Sequence, residues 1–304
     1  MALTNIDISR IAQEALSNAQ EKVFPVGAIA TTFGGFAKEG DVVKVDVLAE
    51  SAGAAAYNSS TNNYTKDRSI TEAFKDVTIS NKYLDGFSLT PTEFKALSED
   101  GLRKRINRHV RELTRTMLVD SMSLLTEANF SNQEIIGADT AFDKTKVTQI
   151  RTNAGFKKFG LEETAKAVVG VDYFENLMED QELVDVRGAA DANRNSSFSA
   201  PYRGLDWMAS NLIPSNSESL VGFVTDGTAL ALGVGVSDDL VDQNPFGLGV
   251  GSYDSEIFTT PEGLAMRMTI NYDQGTKSVN VVFDAVWGKA VGQESKLVLL
   301  ASAS

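Results

Sequence analysis

Residues 90 to 129, TPTEFKALSEDGLRKRINRHVRELTRTMLVDSMSLLTEAN, write two helix starts in succession. Thr90 supplies a capping hydroxyl, Pro91 takes the first helical position where its missing N–H costs nothing, and Glu93 stands where a capping-box carboxylate reaches back. This first helix is short and ends near Leu97. Ser98 opens the next, with Glu99 and Asp100 in a first turn whose free N–H groups favour negative charge. Leu102, Ile106, Val110, Leu113, Met117, Leu124 and Ala128 then recur at steps of three, four or seven, the spacing that keeps side chains on one helix face. The pattern predicts a single helix over 98–129, about 45 Å long at 1.5 Å per residue. A helix of that length is a spine on which shorter elements pack.

Its other face is basic. Arg103, Lys104, Arg105, Arg108, Arg111 and Arg115 are opposed between 103 and 115 by Glu112 alone, so six cations less one carboxylate leave +5. The rest of the chain, whose net charge is −13, therefore carries −18. Such a segment is either a solvated helix face or a surface meeting acidic neighbours or nucleic acid. His109, the only histidine, lies within it, and no carboxylate is placed to orient it. That argues against a catalytic role.

Upstream, DVVKVDVL at 41–48 puts Val43, Val45 and Val47 on one side of a strand, and a second strand-like run follows at 73–80. Between them ESAGAAAYNSSTNNY, residues 50–64, is too poor in large apolar groups to offset the entropy of ordering it, which predicts a mobile loop. Residues 36–80 thus form a long hairpin. Two isolated strands are marginal in water, so the hairpin must lie on something. Before it, Ile8, Ile11, Ala12, Ala15, Leu16 and Ala19 line one stripe of a helix ending at Phe24-Pro25. Nothing that follows is an obvious partner for it, so it is either an arm docking on another surface or an ordinary terminal helix.

Downstream, 138–160 is helix-compatible and Ala167 to Val171 is a buried strand. Asp172 and Glu175 cap a helix whose inner side holds Tyr173, Phe174, Leu177 and Met178. Residues 187–199 have loop composition. Leu220 to Thr225 is a strand, Asp226-Gly227 a turn, and Ala229 to Leu232 the start of a short helix. Gly233, Gly235, Gly247, Gly249 and Gly251 lack the spacing and the lysine of a phosphate-binding loop, and Asp238, Asp239 and Asp242 lack calcium-loop spacing. The last quarter alternates cleanly. Leu264, Met266, Met268, Ile270 and Tyr272, then Val279, Val281, Phe283, Ala285 and Trp287 after the turn at Asp273-Gln-Gly275, predict two half-buried antiparallel strands. Leu297 to Leu300 is a final strand.

Composition removes several chemistries. The 304 residues contain no cysteine and one histidine, which excludes disulfides, thiolate catalysis and HExxH-type metal sites. We expect no catalytic, cofactor-binding or metal-ligating residues. Length alone predicts about two lobes. No run of about 18 apolar residues exists to cross a membrane, and the first ten residues do not form a secretory signal, so membrane partners are not expected. The surplus of acid makes the chain as a whole a poor ligand for phosphate backbones.

Six strings in order carry a likeness: DVTISNKYLDGFSLTPTE at 76–93, AVVGVDYFENLMED at 167–180, YRGLDWMASNLIP at 202–214, FVTDGTALALGVGV at 223–236, SEIFTTPEGLAMRMTINYD at 255–273 and VFDAVWGKAV at 282–291. Together with the order of elements they resemble the major capsid protein of tailed bacteriophages, whose fold is shared with encapsulin shells. The resemblance implies an α+β fold with an N-terminal arm at 1–35, an extended hairpin loop at 36–80 lying over a neighbouring subunit, and a peripheral lobe at 81–139 holding the spine helix. It further implies an axial lobe at 140–252 and closing antiparallel strands at 253–304. The implied function is structural rather than enzymatic: self-assembly, as pentamers and hexamers, into an icosahedral head around double-stranded DNA, followed by maturation of the procapsid.

Implied partners are the chain itself, a portal, DNA held by non-specific contact, and a separate scaffolding protein, because only some 35 residues precede the hairpin. A decoration protein is left open. The implied place is the virion, assembled in the host cytoplasm. Part of the family forms lysine-asparagine crosslinks, for which Lys66 is a donor candidate, but no acceptor is identifiable and no crosslink is expected. The alternatives are an encapsulin-like compartment and, more remotely, a carboxylate-dependent hydrolase, which needs two acids in contrasting environments.

Overall fold

In the computed structural model, residues 8–23, 30–34, 40–47, 73–153, 165–179, 199–202, 204–236, 253–259, 263–273 and 275–302 are described. The expected loop at 50–64, Lys66, most of 187–199, and the run holding Asp238, Asp239, Asp242, Gly247, Gly249 and Gly251 lie outside them. In chain order the elements are α1 (Ile8–Val23), β1 (Ala30–Gly34), β2 (Val42–Val47), β3 (Ala73–Thr78), β4 (Asn81–Leu89), α2 (Pro91–Ala96), α3 (Glu99–Met122), β5 (Gln133–Ile135), α4 (Lys144–Arg151), β6 (Ala165–Val169) and α5 (Val171–Glu179). Then come β7 (Ser199–Tyr202), β8 (Leu205–Ala209), β9 (Leu220–Thr225), β10 (Leu230–Gly235), β11 (Tyr253–Thr259), β12 (Ala265–Asp273), β13 (Ser278–Val291) and β14 (Leu297–Ala301).

Both helix starts form as their sequence dictates. The Thr90 hydroxyl accepts from the Glu93 N–H, while the Glu93 carboxylate accepts from the Thr90 N–H at 2.9 Å and is held below the usual carboxylate range by that bond. Ser98 caps α3 by accepting from Gly101 N at 3.2 Å. The far end of α3 differs from the expectation: it stops at Met122, not Asn129. Asn216 donates to the carbonyls of Met122 at 3.2 Å and Leu125 at 2.7 Å, and Asn129 to that of Leu124 at 2.8 Å, so side chains bond carbonyls that a longer helix would have bonded four residues on. Beyond the helix Leu125 and Phe130 are buried, whereas Leu124 and Ala128, which carried the apolar spacing past Met122, are half-buried and exposed respectively.

Six strands form one sheet, in the order β1-β10-β13-β12-β11 with β4 on the free flank of β13. One face of it buries Met266, Met268, Val281, Phe283 and Trp287 beneath the apolar stripe of α3 (Ile106, Val110, Leu113, Met117). α1 joins that layer with Ile11, Ala12, Ala15 and Leu16, held by a Glu14–Arg103 ion pair and by Gln13 donating to Thr259 O at 3.1 Å. The first helix therefore has its partner within the chain, contrary to the reading that none follows.

On the opposite face the antiparallel pair β2 and β3 sets Val43, Val45, Val77 and Ile79 against Ala231 and Val286. The base of the hairpin is thus one of three layers: hairpin, sheet, helices. Covered on both faces, the strand pair β12–β13 is more than half-buried. Ala265, Arg267 and Val286 lie inside as well as Leu264, Met266, Met268, Val281, Phe283, Ala285 and Trp287. Ile270 and Val279 are half-buried, and Tyr272, which alternation placed inside, is exposed near the turn that ends β12.

The expected helix at 229–232 is instead the strand β10. It pairs parallel with β1 and antiparallel with β13, and all six of its residues are buried, a case in which two paired edges override local propensity. β4 was not anticipated, because its burial barely alternates; its nine residues are held by pairing along Val279 to Trp287.

The second sheet runs β5-β14-β9-β6-β8-β7. Its middle strands are buried on both faces: Leu297 and Leu299 look toward the α3 core, whereas Val298 and Leu300 look toward a second core with Phe142, Val147, Ile150, Phe174, Leu177 and Trp207 under α4 and α5. α5 starts at Val171, one residue before the expected cap, and Asp172 sits in its first turn.

Candidate assembly surface

With one histidine in the chain, a Ser-His-Asp arrangement would have to be assembled around His109. The fold brings Asp85 to it from β4, with 2.9 Å between Asp85 Oδ2 and His109 Nδ1, and Phe87 stacks on the ring at 5.3 Å. An orienting carboxylate therefore exists, which corrects the sequence reading. Carboxylate and imidazole lie 24 residues apart, on a strand and a helix, and no local motif joins them. Among the described residues no hydroxyl bonds to the ring, so the pair links α3 to β4 and lacks the nucleophile of a triad.

Other candidates disperse. Gly233 and Gly235 are strand residues of β10. Among the described residues no three His, Asp or Glu side chains gather as metal ligands. Tyr173 donates to Gly137 O at 2.8 Å, and burial pushes its phenol up. Asp143 and Asp273 are held below the usual carboxylate range, the first mainly by the Lys146 N–H at a helix start and the second mainly by the Thr276 hydroxyl in a turn. These acids serve caps and turns. A surface hollow of 320 Å³ is lined by Glu134, Thr148, Gln149, Thr152 and Asn153, with Asn153 already donating to Glu134 at 2.7 Å. It gathers no pair of carboxylates for hydrolysis. Among the described residues no helix is long and apolar enough to cross a membrane.

What the fold does build is surface. The outward face of the hairpin exposes Val42 and Phe74, and β4 exposes Tyr83 and Leu84, the last at 68%. Among the described residues β4 pairs with β13 alone, so within that set its other edge is a free strand edge. The hairpin crosses the sheet where Gly233 of β10 stands opposite Gly288 of β13. A Cβ on Gly288 would meet Thr78 O at 2.1 Å, so only glycine lets β3 pass that close. On α3 the cations divide: Arg103 turns in to Glu14 and Glu99, whereas Lys104, Arg108, Arg111 and Arg115 are exposed.

No protein family and no curated protein matches the sequence. Among solved structures, the capsid of the cyanophage P-SCSP1u matches with a TM-score of 0.57 at 11% identity, over 90% of this chain and 86% of that chain. A virus-like particle from Pyrococcus furiosus matches with a TM-score of 0.52 at 10% identity, over 97% of this chain and 100% of that one. The mature capsid of bacteriophage PhiM1 matches with a TM-score of 0.52 at 8% identity, over 92% and 87%. The chain has the α+β fold of phage capsid proteins, a fold that it shares with the Pyrococcus particle.

Proposed function

We propose that this chain is the head-shell protein of a tailed bacteriophage, assembling with copies of itself around double-stranded DNA. The observation that carries this is the fold, matched over nine-tenths of the chain to a cyanophage capsid. The described residues fit it: apolar side chains at the hairpin and β4 await cover, and nothing in the interior needs a substrate. On this reading residues 1–35 are the arm and 36–80 the loop reaching a neighbour, with 81–139 and 140–252 the peripheral and axial lobes and 253–304 the closing strands. Function lies in contacts and not in a catalytic residue. A separate scaffolding protein and a portal are the partners expected during assembly in the host, and the virion is the destination.

The full-length chain, expressed alone and with the scaffold encoded beside it, is expected to give closed particles of megadalton mass by light scattering and electron microscopy. A persistent 33 kDa monomer under every condition overturns the reading. Deleting Ala52 to Asn63 is expected to leave the thermal transition of the subunit within a few degrees while cutting particle yield at least tenfold. Unchanged yield removes the loop from assembly. The match to the Pyrococcus particle along all of that chain favours a second reading, a compartment filled with protein. Particles enclosing an enzyme and no DNA would establish it.

A further inference from the structure

Lys104, Arg108, Arg111 and Arg115 stand at steps of four, three and four along α3. At 100° per residue they fall within about 60° around the axis, and at 1.5 Å per residue they form a row about 16 Å long. All four are exposed on the side away from the sheet, since Ile106, Val110, Leu113 and Met117 occupy the other. Lys104 pairs with Asp100 at 2.7 Å, and Arg115 reaches Glu112 only at 3.9 Å. Among the described residues Arg108 and Arg111 have no ion-pair partner. We infer that this row is where the shell touches its DNA, an inference that rests on the proposed head-shell function.

Three features favour a phosphate backbone over the acidic surface of another copy. The row contains no apolar residue, whereas protein–protein contacts centre on apolar cores with charge at the rim. Three of its four cations are arginines, whose forked donors suit phosphate. Its steps of about 4.5 to 6 Å along a rigid rod suit a polyanion that offers a charge about every 1.7 Å of axis. The chain outside residues 103–115 carries −18, which opposes DNA contact elsewhere. Repetition over many subunits multiplies a weak individual contact.

The test measures binding of a 20-base-pair duplex to the full-length unassembled chain by fluorescence anisotropy across a salt series. Four phosphates neutralised predict a log–log slope of about −3.6, and the triple variant Arg108→Gln/Arg111→Gln/Arg115→Gln should retain about −0.9. The same three positions changed to lysine should restore most of the slope. Lys44→Gln/Lys75→Gln/Lys277→Gln, equal in charge change but placed on the hairpin and a turn, should leave it unaltered. An equal fall in that control, an unchanged slope in the arginine variant, or no duplex binding at the lowest salt overturns the inference. So does an arginine variant that keeps the slope but no longer forms particles, since the row then meets another copy. Absence of wild-type particles would count against the shell reading alone, because the slope is measured on single subunits.

Discussion

Gly288→Ala is expected to lower folding stability by about 3 kcal/mol or more, the upper range for forcing atoms into a packed site. The added Cβ would lie 2.1 Å from Thr78 O and 2.7 Å from Thr78 C, and both are backbone atoms of the crossing strand β3. No rotamer change relieves that contact, so the hairpin must lift from the sheet. Val43, Val45, Val77 and Ile79 would then lose their cover. The opposite glycine is the natural comparison. A Cβ on Gly233 meets Ile79 Cδ1 at 3.0 Å and Val77 Cγ1 at 3.2 Å, which are methyl ends that can turn aside. Gly233→Ala should therefore cost about 1 kcal/mol or less. Urea unfolding of both variants checks the difference, and equal losses would mean that Gly288 is not the seat of the hairpin. Because the seat sets the angle at which the hairpin leaves the sheet, Gly288→Ala should also reduce particle yield at temperatures where the subunit is still folded.

What the sequence disclosed follows from how far apart the cooperating residues lie. The cap at Thr90 and Glu93 spans three residues, and the β12–β13 alternation is joined by a short turn, so both are legible locally. The end of α3 is not, because the Asn216 that stops it lies 94 residues from Met122. The glycine seat is likewise invisible: Gly233 and Gly288 look like loop residues until β10 and β13 pair. His109 seemed unoriented because Asp85 arrives from a strand whose pattern was too weak to announce itself. The basic row on α3 was readable as charge from the first, but the fold was needed to separate Arg103, turned inward, from the four cations facing outward. Phe74 and Leu84 are exposed in the fold, yet their apolar character does not distinguish them from core residues in sequence.

Asp120→Ala is expected to cost about 3 kcal/mol, the other large effect, because one carboxylate there ties three elements together. Asp120 Oδ2 accepts from Asn81 Nδ2 and from Trp287 Nε1, each at 2.9 Å, while Oδ1 pairs with Lys289 Nζ. Lys289 also donates to Asp120 O and to Ser123 Oγ, both at 2.8 Å, which fixes the last turn of α3 against β13. Alanine would leave the indole N–H of Trp287, a fully buried residue, without its acceptor, and would strip Lys289 of its countercharge. Lys289→Met should cost less, about 1 kcal/mol, since the carboxylate keeps both neutral donors. Asp120→Asn should fall between, because one amide oxygen can still accept while the amide N–H₂ faces a donor. Urea unfolding of the single and double variants at positions 120 and 289 gives the coupling directly. A double variant whose loss equals the sum of the two single losses would show that the pair acts independently, and the ordering Ala, Asn, Met would then need another cause. If the coupling holds, the junction between β4, the end of α3 and β13 is rigid, and any change of subunit shape must pivot elsewhere.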